Sequence, residues 1–169
     1  MNRRILTAIL AALLFTGQAA FGAPSKSPDN SAVGFGLSDW HVSTGELDIQ
    51  NYQTGDFTAP QPITLTRPGS SIHADRAVGN FVRKQATLTG SVVLHDDNGV
   101  LTKLSGTGGS NKPATLTCDT LRIDGVSKTY TATGNVHFNQ GGSQVSADRA
   151  VINGATHELH LYGNVQLQQ

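Results

Sequence analysis

Three carboxylates are the first residues whose type and placement suggest chemistry. Asp75, Asp119 and Asp148 each stand 15 residues before a glycine, Gly90, Gly134 and Gly163. Converging carboxylates can serve as general acid and base. Equivalent residues of successive repeats, however, stack along a sheet rather than meet at one point. The spacing therefore predicts a structural role, with each aspartate accepting hydrogen bonds from backbone N–H groups at a chain corner. The six histidines are His41, His73, His95, His137, His157 and His160. Only His157 and His160, with Glu158 between them, approach a ligand spacing, and on a strand these two point to opposite faces. The segment Gly106-Thr107-Gly108-Gly109-Ser110 has the composition of a phosphate cradle. Such a cradle needs a helix after it, and no helical pattern follows Pro113. Val100 to Ala114 is expected to be an exposed loop. No Gly-x-Ser-x-Gly nucleophile motif occurs. The expectation is a protein that is not an enzyme and uses no metal and no cofactor.

Composition narrows the class. The chain has 169 residues, one domain's worth, with 12 Lys+Arg against 12 Asp+Glu. Without Arg3 and Arg4 the remainder is slightly acidic, which excludes a nucleic-acid binder, because neutralising phosphates requires a basic excess. Abundant Gly with frequent Thr and Val is the composition of an all-β domain with many turns. At the N-terminus, Arg3 and Arg4 precede an apolar run from Ile5 to Phe15, and Ala20-Phe21-Gly22 carries small residues suited to signal peptidase. Residues 1–22 are read as a cleaved signal peptide, since a spanning helix needs about 20 apolar residues and this run is shorter. Residues 23–36, rich in Ser, Pro and Gly, are read as a flexible arm, and 37–169 as the folded domain. Cys118 is the only cysteine, so no internal disulfide forms.

The elements that position these residues come from an internal repeat. Three segments align: Ile72 to Ala77 with Gly90 to Leu94, Leu116 to Leu121 with Gly134 to Phe138, and Val145 to Ala150 with Gly163 to Leu167. The second arm of each unit alternates apolar and polar residues. Ala86, Leu88, Gly90, Val92 and Leu94 share one face, as do Tyr130, Ala132, Gly134, Val136 and Phe138, and Leu159, Leu161, Gly163, Val165 and Leu167. A period of two marks a strand with one buried face. A central glycine on such a face signals a bend, a bulge or the close approach of another group. In the first arms the apolar phase slips by one residue at each aspartate, so a bulge or corner is expected there. Gly79-Asn80, Asp124-Gly125 and Asn153-Gly154 read as hairpin turns joining the arms, and Asn98-Gly99 and Gly141-Gly142 separate the units. Cys118 takes the place of Ala74 and Ala147, so it is expected to be a small buried group and not a reactive thiol. Residues 37–66 hold at least two strands, Glu46 to Tyr52 and Ile63 to Thr66, as a degenerate first unit. The last strand pattern, Leu159 to Leu167, is expected to leave an edge available for strand addition.

The repeated Ala-Asp-x-Ala arm followed by Gly-Asn-Val resembles the LptA/OstA-like family of periplasmic lipopolysaccharide-transport proteins. It is clearest in Ala147-Asp148-Arg149-Ala150 with Gly163-Asn164-Val165, and in Ala74-Asp75-Arg76-Ala77. The middle copy carries Cys118 and Leu121 in place of the alanines. The resemblance implies an OstA-like β-jellyroll of repeated antiparallel strand pairs, located in the periplasm. It further implies that lipopolysaccharide acyl chains lie in the apolar interior, in a bridge from inner to outer membrane. The partners implied are the inner- and outer-membrane transport components, met by edge-strand pairing, or further copies of the chain joined end to end. On this reading the lipid-binding residues are Ile72, Leu88, Val92, Leu94, Leu116, Ile123, Tyr130, Ala132, Val136, Phe138, Ile152, Leu161, Val165 and Leu167. Arg76, Arg83, Lys84 and Arg149 either meet lipid phosphates or pair with neighbouring carboxylates. Three other readings stay open: a membrane-anchored component of the same bridge, a structural β-repeat protein with a solid core and no ligand, and a carrier of a different hydrophobic molecule.

Overall fold

The computed structural model describes residues 40–104 and 112–168; the signal peptide, the arm and the glycine-rich stretch of the sequence reading lie outside them. Within the described residues, twelve antiparallel strands form one open sheet. They are β1 (His41–Thr44), β2 (Asp48–Asn51), β3 (Asp56–Ala59), β4 (Ile63–Arg67), β5 (Ser70–Ala74), β6 (Arg76–Asn80), β7 (Gln85–Asp96), β8 (Ala114–Asp124), β9 (Thr129–Gln140), β10 (Ser143–Asn153), β11 (Glu158–Tyr162) and β12 (Gln166–Gln168). The pairings divide the sheet into two wings. Wing A runs β2, β3, β6, then 85–89 of β7, 120–124 of β8, 129–133 of β9, 149–153 of β10, and β11. Wing B runs β1, β4, β5, then 93–96 of β7, 114–117 of β8, 137–140 of β9, 143–147 of β10, and β12. The same chain thus crosses from one wing to the other at a line of corners, which is the jellyroll-like architecture expected from the repeat. Residues 40–67 repeat the arrangement, since β1 and β2, and likewise β3 and β4, are halves of strands broken at the same line.

The corners explain the phase slip. Where β8 contributes the single residue Asp119, its neighbour β7 contributes two, Gly90 and Ser91, so that Thr89 faces Thr120 and Val92 faces Cys118. Asp148 of β10 likewise stands against Gly134 and Asn135, between the pairs Ala147–Val136 and Arg149–Thr133. One residue against two is a bulge, and it bends the ladder while both halves keep their apolar faces on one side. The glycines have φ of 78°, 75° and 68° at Gly90, Gly134 and Gly163, and the residues after them are also left-handed, Ser91 at 45°, Asn135 at 47° and Asn164 at 44°. A β-carbon at Gly90, Gly134 or Gly163 would collide with the carboxylate of Asp75, Asp119 or Asp148 respectively. The backbone N–H groups of Asp75 and Asp148 donate to the carbonyls of Gly90 and Gly163, both at 3.0 Å. The carboxylates of Asp119 and Asp148 accept from the side-chain amides of Asn135 and Asn164, each at 2.9 Å. The donors at these carboxylates are thus asparagine side chains rather than the backbone N–H groups expected. The three aspartates are exposed, so each glycine's missing side chain marks the close approach of a carboxylate on the outer side of the corner and not a space in the interior.

Two other local expectations are corrected. The arms are not joined by two-residue hairpins at Gly79-Asn80, Asp124-Gly125 and Asn153-Gly154; those residues end or follow strands, and four-residue turns (81–84, 125–128 and 154–157) connect them. The residue closing each strand caps its turn by side chain: Asn80 Oδ1 accepts from Arg83 N–H at 2.7 Å, Asp124 Oδ1 from Val126 and Ser127 at 3.0 Å, and Asn153 Oδ1 from Ala155 at 2.9 Å. Such a side chain competes with the two-residue turn by offering the backbone a wider one. His157 therefore lies in a turn and only His160 is on a strand. Gly141-Gly142, read as a separator between units, makes a two-residue turn between β9 and β10, with φ of 60° and 99°. The segment expected as an exposed loop is partly interior: Leu101, Thr102 and Leu104 are buried, the first two in a single 3-10 turn.

Replacing Gly134 by alanine should lower stability by about 1–3 kcal/mol, because a left-handed residue with a β-carbon is strained. Chemical unfolding of Gly134→Ala, Asp119→Ala and the double variant should show non-additivity, with the second substitution costing less once the first has relieved the contact.

Candidate functional site

Alternation places one apolar row of each wing inside the fold. From wing A come Leu88, Ile123, Tyr130, Ala132 and Ile152; from wing B come Ile72, Val92, Leu94, Leu116, Val136 and Phe138, and all of these are buried. Cross-strand register builds the rows: Ile72 stands opposite Leu94, Leu94 opposite Leu116, and Leu116 opposite Phe138. The sequence thus placed these eleven residues on one continuous apolar interior. In this structure the interior is closed. Leu88, Leu116, Leu121, Ile123, Ile152 and Val136 are at most 1% exposed. Burying each such side chain stabilises the fold by roughly 1.5–3 kcal/mol.

Closure fails at one end. Leu161, expected inside, is only half-buried, and Val165 and Leu167 are 51% and 62% exposed. The pattern Leu159 to Leu167 is not one strand; it breaks after Tyr162 into β11 and β12, which pair with the two halves of β10. Leu167 faces Val145, and Val145 faces Phe138, so Leu167 belongs to the interior row. It is exposed because, among the described residues, no strand lies beyond β12. Half-buried Val145, Leu159 and Leu161 with exposed Val165 and Leu167 form the open end of the interior.

Opposite the corner line, the mouth between the wings is shut by residues that strand periodicity could not reveal. Asp96, 1% exposed at the end of β7, accepts from Ser70 Oγ at 2.7 Å and from the N–H groups of Gly99 and Leu101 at 2.6 and 2.8 Å. This carboxylate turns the chain so that Leu101 and Leu104 enter the mouth. The Gln140 amide holds the loop at both ends, donating to the carbonyls of Thr102 at 3.5 Å and Lys112 at 3.3 Å. Trp40 seals the N-terminal side, with the Arg67 guanidinium 4.5 Å above its ring, a cation–π contact. A gap of only about 10 Å³ remains among Trp40, Arg67, Leu94, Asp96, Val100, Leu101 and Tyr130. Burial raises the Tyr130 phenol above its ordinary range; Arg67 opposes the shift and Asp96 adds to it.

The polar candidates do not assemble into a reaction centre. The corner aspartates are spaced along the fold line, one to a repeat. Arg149 lies over the Tyr162 ring at 5.5 Å, and Arg83 pairs with Asp56 at 3.2 Å. His95 meets Asp97 at 3.0 Å and His160 approaches Glu158 at 3.9 Å. Among the described residues, no three metal-binding side chains are grouped to hold an ion. Cys118 is buried as its alignment with Ala74 and Ala147 implies, and burial, with Asp119 adding to it, pushes its thiol up to about 11.

The fold and this interior define the class: an open β-jellyroll, two apolar wings folded on a line of Asp–Gly corners. No protein-family model matches the sequence, and no curated protein sequence matches it. Among solved structures the fold is similar to the crystal structure of LptH, the LptA-homologous periplasmic component of the conserved lipopolysaccharide transport device of Pseudomonas aeruginosa, with a TM-score of 0.62. The similarity covers 77% of this chain and 94% of that one at 7% sequence identity, so what the two share is the fold.

The neutral thiol of Cys118 fits the interior and its thiolate does not. A group whose pKa is raised by folding, from 9.0 to about 11, stabilises the fold fully below its unfolded value and loses that contribution as pH rises through the folded one. Stability of the protein should therefore fall between pH 9 and 11 more steeply than that of Cys118→Ala, as read by urea unfolding across that range. Equal slopes would remove the thiol from the interior.

Proposed function

We propose that the chain is an exported periplasmic lipopolysaccharide-binding transport protein, in which residues 1–22 are a cleaved signal, 23–36 a flexible arm and 37–169 the jellyroll. Acyl chains enter between the wings and lie along the interior rows, shielded from water. The observation that carries this reading is the interior row that runs uncovered to Val165 and Leu167. An aliphatic chain laid along it gains about 0.8 kcal/mol for each methylene removed from water, without directional chemistry. The fold shared with LptH supports the same reading. The jellyroll works as a carrier with no reaction at its centre and no cofactor. Because the interior is closed in this structure, ligand entry separates the wings from the open end inward.

The two edges supply the bridge. Among the described residues, β11 and β12 at one end and β1 and β2 at the other have no strand on their outer side, and these edges accept a strand from a transport component of either membrane or from a second copy. The close packing of Leu88, Leu116 and Val136 favours a second reading, a structural β-repeat protein with a solid core.

Photo-crosslinkers at Leu88, Val136, Phe138 and Leu161 separate the two. Carriage predicts lipopolysaccharide adducts at the interior positions, strongest at Leu161 beside the open end. A folded protein giving no adduct at any of the four would leave the solid-core reading in its place.

A further inference from the structure

The outer face of wing B carries a chemistry that the interior does not use. Ile72, Leu94, Leu116, Phe138 and Val145 point inward, so their neighbours along each strand point out. Register joins those neighbours into two rows across eight strands, from His41 and Ser43 on β1 to Gln166 and Gln168 on β12. Both rows consist of hydroxyl, amide and imidazole side chains with a single valine, and neither contains a Lys, Arg, Asp or Glu. The outward rows of wing A, by contrast, hold Arg76, Arg122, Asp124, Arg149 and Glu158. A surface whose only task is solubility suits roughly 25–35% charged residues, and edge strands are ordinarily guarded by charge. Solvation alone does not account for the face of wing B.

At the β12 end the two rows form a site. His137 and Asn139 of β9, Gln144 and Ser146 of β10, and Gln166 and Gln168 of β12 line one groove of about 380 Å³. Small-ligand sites run to roughly 300–1,000 Å³. In register Asn139 faces Gln144 and Gln144 faces Gln168, while His137 faces Ser146 and Ser146 faces Gln166. The patch is on the order of 10 Å by 7 Å, enough for a short saccharide. Its carboxamides, on Asn139, Gln144, Gln166 and Gln168, make no hydrogen bond to another described residue. Charges beyond its two ends are occupied elsewhere: Asp148 accepts from Asn164 at 2.9 Å, and Lys112 lies against Gly141 of the β9–β10 turn. Phe138 and Val145 of the interior row also bound the groove. One strand, β12, thus presents Gln166 and Gln168 to the groove and Leu167 to the open apolar end.

We propose that this groove binds uncharged saccharide. A sugar hydroxyl both donates and accepts, and a carboxamide does the same with two N–H donors and a carbonyl. It does so without the hydration that a charged side chain forfeits against a neutral ligand. The sugar arrives either free or as the head of a lipid whose chain lies beside Leu167, and both present the same hydroxyls. Binding of the free sugar does not depend on what the interior holds.

Titration of the purified protein, followed by the NMR signals of its side-chain amides, tests this. The probes are neutral trisaccharides of glucose, galactose, mannose and N-acetylglucosamine. At least one should shift the signals of Asn139, Gln144, Gln166 and Gln168 saturably while those of Gln50 and Gln85 on wing A stay in place. Gln144→Ala/Gln166→Ala should weaken that binding about tenfold, as two lost hydrogen bonds imply. Thr87→Ala/Thr131→Ala, on the outer face of wing A, should leave it within about twofold of the parent. Thermal melts check that both variants are folded. The dodecyl glycoside of the sugar that binds, kept below its micelle concentration, separates the two sources. Tighter binding than the free sugar, with the Leu167 methyl signals also shifting, assigns a lipid-borne head; equal binding assigns a free glycan. No saturable shift with any of the trisaccharides would overturn the proposal, as would equal losses in the two double variants.

Discussion

Each long strand of this protein must cross from one wing to the other without turning its apolar side outward, and the contact that permits this is an aspartate carboxylate seated on the α-carbon of a glycine in the next strand. A strand's side chains alternate with period two, so an ordinary one-residue slip would expose every inward residue beyond it. Here Asp75, Asp119 and Asp148 each slip the phase in one strand, and Gly90-Ser91, Gly134-Asn135 and Gly163-Asn164 add the matching extra residue in its neighbour. The rows on both sides of the fold line then face one interior. Only glycine admits the carboxylate there, and the asparagine that follows Gly134 and Gly163 returns a hydrogen bond to it.

Once the corners hold, the remaining architecture has two unequal boundaries. The mouth is closed by a carboxylate, Asp96, whose hydrogen bonds direct Leu101 and Leu104 into it. The end beyond β12 is closed by nothing among the described residues, and its interior row reaches water at Leu167. The molecule is accordingly a packed core through its middle and an apolar trough at one end. That gradient, from Leu88 through Leu161 to Leu167, runs from fully packed side chains to an apolar row in contact with water.

Much of this was legible in the residues. The three 15-residue Asp-to-Gly spacings located the corners, and the alternation of Ala86 to Leu94 and Tyr130 to Phe138 placed nearly the whole interior, because burial on one face of a strand imposes that period directly. Three features were not legible, each for a physical reason. Leu101 and Leu104 sit in a helical turn within a loop, where a period of two carries no information. Asn80, Asp124 and Asn153 read as tight hairpin residues, yet their side chains widen the turns by capping N–H groups two and three residues on. Val165 and Leu167 carry the same alternation as their buried counterparts, and pattern cannot tell an inward side chain that has a covering strand from one that has none.

Whether the two wings part to admit acyl chains is the point on which the functional account stands. Spin labels on the outward-facing positions Arg122 of wing A and His137 of wing B report the separation of the wings through the interior. On adding lipopolysaccharide to saturation, the measured distance should lengthen by about the width of an acyl layer, and it should return when the lipid is removed. A distance that stays constant with lipopolysaccharide bound would contradict carriage between the wings.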